Sequence, residues 1–363
     1  MLQSISQYWN RIQQNLFPQL EEGLGPLSEK QQQLAAMLEM IRLEDFIPGY
    51  IGGVGRPQDD RVAIARAFAA KTVYNFSTTQ MLLDRLQTDI ALRRICGWER
   101  RNLIPSAATF SRAFEEFAES NLLSRVHEAT IERFQGDRLV GHANRDSTAI
   151  EAREKPVKKG RKEKETQKRG RPKKGEVKPE KQPTRLERQP SMTLKEMLAD
   201  LPKVCDVGSK KNSKGFVETW IGYKLHLDVA DGQIPISAIL TSASVHDSQV
   251  ALPLMAMTSQ RVDYLYDVMD AAYDCRDIRL QSLLAGRVPL IDSNKRRGEN
   301  SVPFAPHEAE RFKERTAAER VNSRLKDEFG GCTVRVRGHA KVMTHLMFGI
   351  LALTVDQLLR FVT

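Results

Sequence analysis

A chain of 363 residues, 40% apolar and 28% charged, is long enough for two domains and can bury a real core. Its formal charge of +10 and pI near 9.4 favour an anionic partner such as nucleic acid. A secretory signal, a bilayer span, a disulfide framework and a zinc site are not expected. The chain opens without a cationic start and apolar run, and its four cysteines are scattered with no CxxC pair. The longest apolar stretch, Val342 to Val362, is interrupted by His345, Asp356, Gln357 and Arg360 and reads as a buried or amphipathic helix. A cytosolic setting follows.

Residues 1 to about 55 show helical periodicity in pieces, best over Gln31 to Ile41, broken by Gly and Pro. From Asp60 to Phe134 the pattern is almost continuously helical. Asp60 can cap a helix with Val62, Ala65, Phe68 and Ala69 among its apolar positions. Ser77 or Thr78 can cap the next, through Met81, Leu82 and Leu86. A third covers Ile90 to Ile95 and stops at Gly97, and Pro105-Ser106 opens a fourth with Phe110, Phe114 and Phe117 on one face. Helix, Gly-containing turn and Ser-capped helix is what a helix-turn-helix needs, with Thr109 and Arg112 presented to a groove. A plain helical bundle fits the same pattern.

After Phe134 the texture changes to strands, at Leu139 to His142, Ile221 to Val229 and Ile234 to Leu240. Asp231-Gly232 between the last two is a two-residue hairpin signal. A helix from Asp247 to about Met257, a strand at Asp263 to Val268, a helix at Asp277 to Leu284 and a strand at Val288 to Ile291 follow. A long helix over about Ala309 to Glu328 and a final one over Val342 to Phe361 complete the chain. Such an order predicts a mixed α/β sheet with helices on its faces. The division is a helical N-terminal region, 1–134, and a sheet domain, 135–363.

Arg153 to Gln189, between the first two strands, holds 16 Lys and Arg against 6 Glu, and so carries the entire net charge. With almost no large apolar residue it reads as a disordered insertion at 153–189. Within it Lys168 to Gly175 reads KRGRPKKG and resembles an AT-hook, in which Arg169-Gly170-Arg171 lies in a narrow A·T minor groove. A generic polybasic linker on phosphates is the alternative, and both add salt-sensitive affinity.

Three acids stand where metal chemistry wants them. Asp146 ends the first strand, Asp270 follows the strand at Asp263 to Val268, and Glu319 lies in the long helix. Strand ends and one face of a packing helix can converge, and hard divalent cations prefer such oxygen ligands. Phe312, Arg315, Glu319 and Lys326, spaced 3, 4 and 7 apart, share one face of the expected helix. A cation–carboxylate–cation stripe suits metal and phosphate together; an ordinary salt-bridged helix surface has the same look. His226 and His246 flank the region and read as structural or capping residues, outside the metal set. Trp220 and Tyr223 read as core.

Phe312, Arg315, Glu319 and Lys326 resemble the signature Tyr, two residues, Arg, three residues, Glu, six residues, Lys of bacterial insertion-sequence transposases of the DDE type. MDAAYDCRDIR resembles that family's second-carboxylate motif, LAGRVPLIDSNKRRG the stretch after it, and RDSTAIEAREKP the first-carboxylate strand. WIGYKLHLDVADGQIPISAILTSASVHDSQVALPLM resembles the hairpin and helix between them. The resemblance covers about Leu139 to Phe361 without the basic insertion, and more weakly Tyr74 to Phe117, where these transposases carry a helical DNA-binding region.

The resemblance implies a ribonuclease-H-like catalytic fold of α+β or α/β class, behind an all-helical, DNA-binding N-terminal region. It implies Mg²⁺ dependence, with Mn²⁺ as a substitute, cleavage at element ends and strand transfer into target. Asp146, Asp270 and Glu319 become the catalytic metal ligands, and Arg315 and Lys326 contacts to DNA phosphate; Arg112, Arg169 and Arg171 join them as DNA-binding candidates. The implied partner is double-stranded DNA, terminal repeats and target, bound as a homodimer on the bacterial chromosome in the cytoplasm, with no membrane. Phe312 departs from the signature tyrosine, and the 49 positions from Asp270 to Glu319 are too few for the inserted β-domain of some relatives. A nuclease or resolvase that cleaves without joining, and a DNA-binding derivative without catalysis, are the alternatives.

Overall fold

The computed structural model describes residues 2–49, 58–157, 182–211, 215–294 and 303–362. The N-terminal region contains α1 (Leu2–Arg11), α2 (Phe17–Leu24), α3 (Glu29–Ile41), α4 (Arg61–Val73), α5 (Thr79–Thr88), α6 (Ile90–Cys96), α7 (Ala107–Glu119) and α8 (Leu122–Gln135). Local chemistry sets their ends. Side chains of Ser28, Asp60, Thr78, Asp89 and Ser106 accept first-turn amides that have no partner within their own helix. Gly97 closes α6 at φ 115°, in the left-handed region. Phe110, Phe114 and Phe117 share the buried face of α7, with Phe68 of α4 against the first two.

The sheet has six strands: β1 (Leu139–Glu151), β2 (Asp206–Lys211), β3 (Val217–Ala230), β4 (Ile234–Ser242), β5 (Asp263–Met269) and β6 (Val288–Ile291). β3 is antiparallel to β1, β4 and β2, and β1–β5–β6 run parallel. The remaining helices are α9 (Arg185–Arg188), α10 (Leu194–Asp200), α11 (Ser248–Ser259), α12 (Arg276–Leu284), α13 (Pro306–Phe312), α14 (Thr316–Asp327) and α15 (His339–Leu359). α14 packs on β1 and β3 on one face, while α11 and α12 lie on the other. This is the ribonuclease-H-like mixed sheet with flanking helices, behind a helical N-terminal region.

α15 is apolar enough and, at 21 residues, long enough to cross a bilayer, yet 83% of its most apolar window is buried. It packs against β4, α3, α4, α7, α8 and α14 and is the core helix of the molecule. One apolar cluster runs from Ile5 and Leu34 through Phe68 and Phe110 to Leu351 of α15 and Leu227 of β3. The helical region and the sheet therefore share a core, and their boundary is one of secondary structure rather than of packing.

Four expectations are corrected. β1 continues to Glu151, so Asp146 lies inside the strand rather than at its end. Pairing with β3 carries the extension: Glu151 is opposite Gly222, where φ is 152° and an added Cβ would lie 2.1 Å from the Ile150 carbonyl oxygen. The hairpin turn holds three residues, because Ala230 pairs with Ile234. Its Asp231 carboxylate accepts the Gly141 amide at 2.7 Å and joins the His142 ring at 2.7 Å, tying the turn to β1. The long helix is broken at 313–315 by a turn of 3₁₀-helix, so Phe312 and Arg315 precede α14 rather than share one continuous face with Glu319.

The fourth concerns disorder at 153–189. The described ends of that segment are ordered. The Arg153 carbonyl accepts from Arg337 at 3.0 Å, and Glu154 accepts from Tyr223 and the Gly338 amide at 2.8 and 3.0 Å. Thr184 and Glu187 form a capping box for α9, Arg185 and Arg188 pair with Asp200, and Gln189 is buried. A composition count is blind to such specific partners. Arg169 and Arg171 lie outside the described residues.

Candidate active site

Pleat alternation assigns the two neighbours Arg145 and Asp146 to opposite faces of β1. Asp146 meets α14, where its Oδ2 accepts from the Asn322 amide at 2.9 Å. Asp270 caps the short turn after β5, its Oδ1 accepting the Ala272 amide at 2.9 Å. Arg145 pairs with Met269 and Met269 with Ile291 in the parallel register, so Asp146, Asp270 and Asp292 each follow the last registered pair. Three acids thus form a row across three adjacent strands, spaced about 5 Å per strand.

Two carboxyls of the row are held above their ordinary range. Burial pushes the Asp146 carboxyl up to about 6; the charge of Asp270 adds to this, while the Ser147 amide, Asn322 and Arg315 oppose it. Burial also raises the Asp270 carboxyl, aided by Asp247 and Asp292 and opposed by the Ala272 amide and Arg315. Beside them the amide oxygen of Asn322 is buried without a partner. Two crowded carboxyls and an orphaned amide oxygen are a hard-oxygen donor set that fits a divalent cation.

Glu319 stands one helical turn before Asn322, but its side chain is half exposed and paired with Arg315 at 2.8 Å. Among the described residues no group of three or more His, Cys, Asp or Glu is placed to hold a metal ion. Asp146 and Asp270 feel each other's charge, while the Glu319 carboxylate is engaged by Arg315. Arg315 links the three, ion-paired to Glu319 while its charge acts on both aspartates.

Lys326 is half-buried on α14 and makes no ion pair among the described residues. Burial holds its ammonium below the ordinary lysine value, which distinguishes it from the salt-bridged surface pairs Arg315–Glu319 and Arg324–Glu328. Arg112 is exposed on α7, whereas Thr109, expected beside it in a groove, is buried under the Ser106 cap. Phe312, in the signature tyrosine's place, packs its ring tilted against Phe304. His246 bonds Ser248 at the start of α11, as a capping residue does, and His226 is buried against Thr241.

Sequence reasoning missed four contributors. Asn322, three residues after Glu319, was one helical turn from a named site. Asp292 ends a recognised strand, as Asp270 does. Asp247 accepts Ser147 and Lys224, each at 3.0 Å, behind Asp270. Arg145 forms two hydrogen bonds to Asp228, at 2.8 and 2.6 Å, and reaches Asp267 at 3.4 Å, all three fully buried. Only the Asp292 position had a visible signal, a carboxylate at a strand end.

Residues 200–355 match the family described as Transposase DDE domain, and residues 22–116 match Transposase domain (DUF772). The chain carries a transposase DDE domain. As an enzyme it is a DDE transposase, of the kind that moves mobile elements. The DDE match runs from the last residue of α10 to most of α15 and includes Asp270, Arg315, Glu319 and Lys326, while Asp146 lies before it. The second match spans α3 to most of α7, the helices with the buried phenylalanine face. No curated protein matches the chain.

Proposed function

We propose that this transposase cuts the ends of its own insertion sequence and joins them to target DNA, with Asp146, Asp270 and Glu319 as the ligands of two Mg²⁺ ions. The observation that carries the reading is the pair of crowded, desolvated carboxyls just past the last registered pair of the parallel strands β1 and β5. Mn²⁺, also a taker of carboxylate oxygen, can substitute. Bound there, the ions supply activation of the attacking oxygen and neutralisation of the leaving one. The protein's own part is to hold Asp146 through Asn322 and Asp270 through the Ala272 amide. Arg315 is the residue that changes partner: DNA phosphate competes for its guanidinium, which frees Glu319 to turn toward the aspartates. The 3₁₀ joint at 313–315 lies where that movement is needed. Two copies, one on each element end, make the DNA-bound homodimer.

The test is a labelled duplex carrying the element's terminal repeat, incubated with Mg²⁺ and a target plasmid. Wild-type protein is expected to give nicked ends and joined product. Asp270→Asn is expected to give neither while binding the duplex within about two-fold of wild type, since it removes a metal ligand and no phosphate contact. Cleaved ends without joined product would make the protein a nuclease instead.

Lys326 is proposed to contact DNA phosphate beside the metals. Lys326→Ala should cut cleavage about ten-fold or more, about 1.4 kcal/mol at the transition state, with little change in melting temperature. Lys326→Arg should recover part of this, because a forked guanidinium does not reproduce a point charge. Undiminished cleavage by the alanine variant would reduce Lys326 to a surface residue. Arg112 is proposed to touch DNA from α7.

Arg169 and Arg171 are proposed to add affinity through the DNA backbone or an A·T minor groove. Deleting 158–181 retains the anchored ends of the insertion and should flatten the slope of log K against log salt. An unchanged slope would exclude a DNA role for the segment. An A·T preference that disappears when both arginines are replaced would single out the minor-groove mode.

A further inference from the structure

Away from the carboxylates, a cleft of about 370 Å³ opens where α4 and α7 of the helical region meet α15 and the loop before it. Four cations line it: Lys71 from α4, Arg335 and Arg337 from the loop, and Lys341 from α15. Lys341 pairs with Glu115 at 2.6 Å, and Arg337 donates to the Arg153 carbonyl at 3.0 Å. Lys71 and Arg335 have no carboxylate partner among the described residues, and the two face each other closely enough to repel. Phe68, Phe114 and Phe348 supply apolar wall. His345, also lining the cleft, is held neutral by burial, at about 4, and is engaged with the Gly330 carbonyl.

Among the described residues the only carboxylate paired with the four cations is Glu115, so this lining carries a marked positive excess against a low-dielectric wall. Burial, with Arg335 adding, holds the Lys71 ammonium down to about 8. An arrangement that disfavours its own charges is stabilised by an incoming anion. We propose that this cleft is a phosphate-binding site that grips one backbone phosphodiester of the bound DNA, between the helical region and α15 with the loop before it. Lys71 and Arg335 are its principal donors. The inference rests on the transposase reading and adds to it a contact remote from the metal ligands. A forked guanidinium beside a point-charge ammonium suits the non-bridging oxygens of a phosphate. The shared core of the two regions gives the contact a fixed frame.

The test uses the full chain in EDTA with a fluorescent duplex of about 30 base pairs, titrated at salt between about 50 and 200 mM. Arg335→Ala changes an exposed residue and should leave the fold intact. Lys71→Met keeps the side-chain length and removes the charge. Each variant is expected to weaken binding several-fold and to lower the salt slope by about 1, the value for one phosphate. The double variant should lower it no further, because both cations serve the same phosphate. Wild-type slope and affinity in Arg335→Ala would overturn the proposal while leaving the transposase reading standing. Failure of wild-type protein to bind any duplex would instead sink that reading, and the proposal with it. A second arm measures thermal stabilisation by inorganic phosphate at constant ionic strength. Stabilisation lost in the variants, with duplex binding unaltered, would assign the cleft to a free phosphate compound and refute the DNA contact.

Discussion

Asp146→Asn is expected to abolish cleavage and, in EDTA at pH 8, to raise the stability of the folded chain by about 3 kcal/mol. The carboxyl titrates at about 6 in the folded protein against a reference value of 3.8, because burial and then Asp270 disfavour its charge. The folded state therefore binds this proton more tightly than the unfolded one. Stability from this group is full below about pH 4, falls as pH rises through 4 to 6, and stays lost above. Asparagine keeps an oxygen for the Asn322 and Ser147 donors and carries no charge. The stability difference between variant and wild type should be near zero at pH 4 and reach its plateau above pH 6. Added Mg²⁺ should raise the melting temperature of wild type and not of the variant, because a ligand stabilises only the state that binds it. A variant less stable than wild type at pH 8 in EDTA would show that the Asp146 carboxylate is satisfied without a metal.

Arg145→Met should destabilise the protein by about 3–5 kcal/mol. Asp228 and Asp267 are fully buried, and this guanidinium is the cation that both of them meet. Hydroxyls complete the cluster: Thr258 donates to Asp228 at 2.6 Å, and Tyr264 and Ser282 donate to Asp267 at 2.9 and 2.6 Å. These partners come from β1, β3, β5, α11 and α12, so the network bolts together the strands that carry Asp146 and Asp270. Methionine in place of the arginine leaves two charges without a counter-ion in a low dielectric. Replacing Asp228 by leucine in the same chain should recover a substantial part of the loss, since one of the unpaired charges is then gone. Chemical denaturation checks both variants. A single variant within about 1 kcal/mol of wild type would mean that water or rearrangement compensates the two aspartates.

Local signals were legible wherever one residue type dictates one backbone state. Asp60, Thr78 and Ser106 cap the helices their positions foretold, and Gly97 ends α6, because capping needs only a short polar side chain beside free amides. Apolar runs located β6 and the cores of β3, β4 and β5, and the uneven charge marked the basic insertion as the carrier of the whole +10. The motif order around Asp270 and Glu319 pointed to a transposase, as the DDE match over 200–355 does.

What the sequence left open depended on partners far along the chain. β1 reaches Glu151 because β3, some 70 residues later, supplies its hydrogen bonds, and no local pattern encodes that register. Arg145 looks like any charged residue until the fold surrounds it with Asp228 and Asp267, and Asp292 joins Asp270 only when β6 docks beside β5. Glu319 shows the limit most plainly. The spacing in the motif put it on a helix face, but the 3₁₀ break and the Arg315 pair decide where its carboxylate points. Capping and amphipathic periodicity are properties of neighbouring residues, so sequence alone determines them. Convergence of charges depends on strand register and helix docking, and those are settled by the packing of the whole chain.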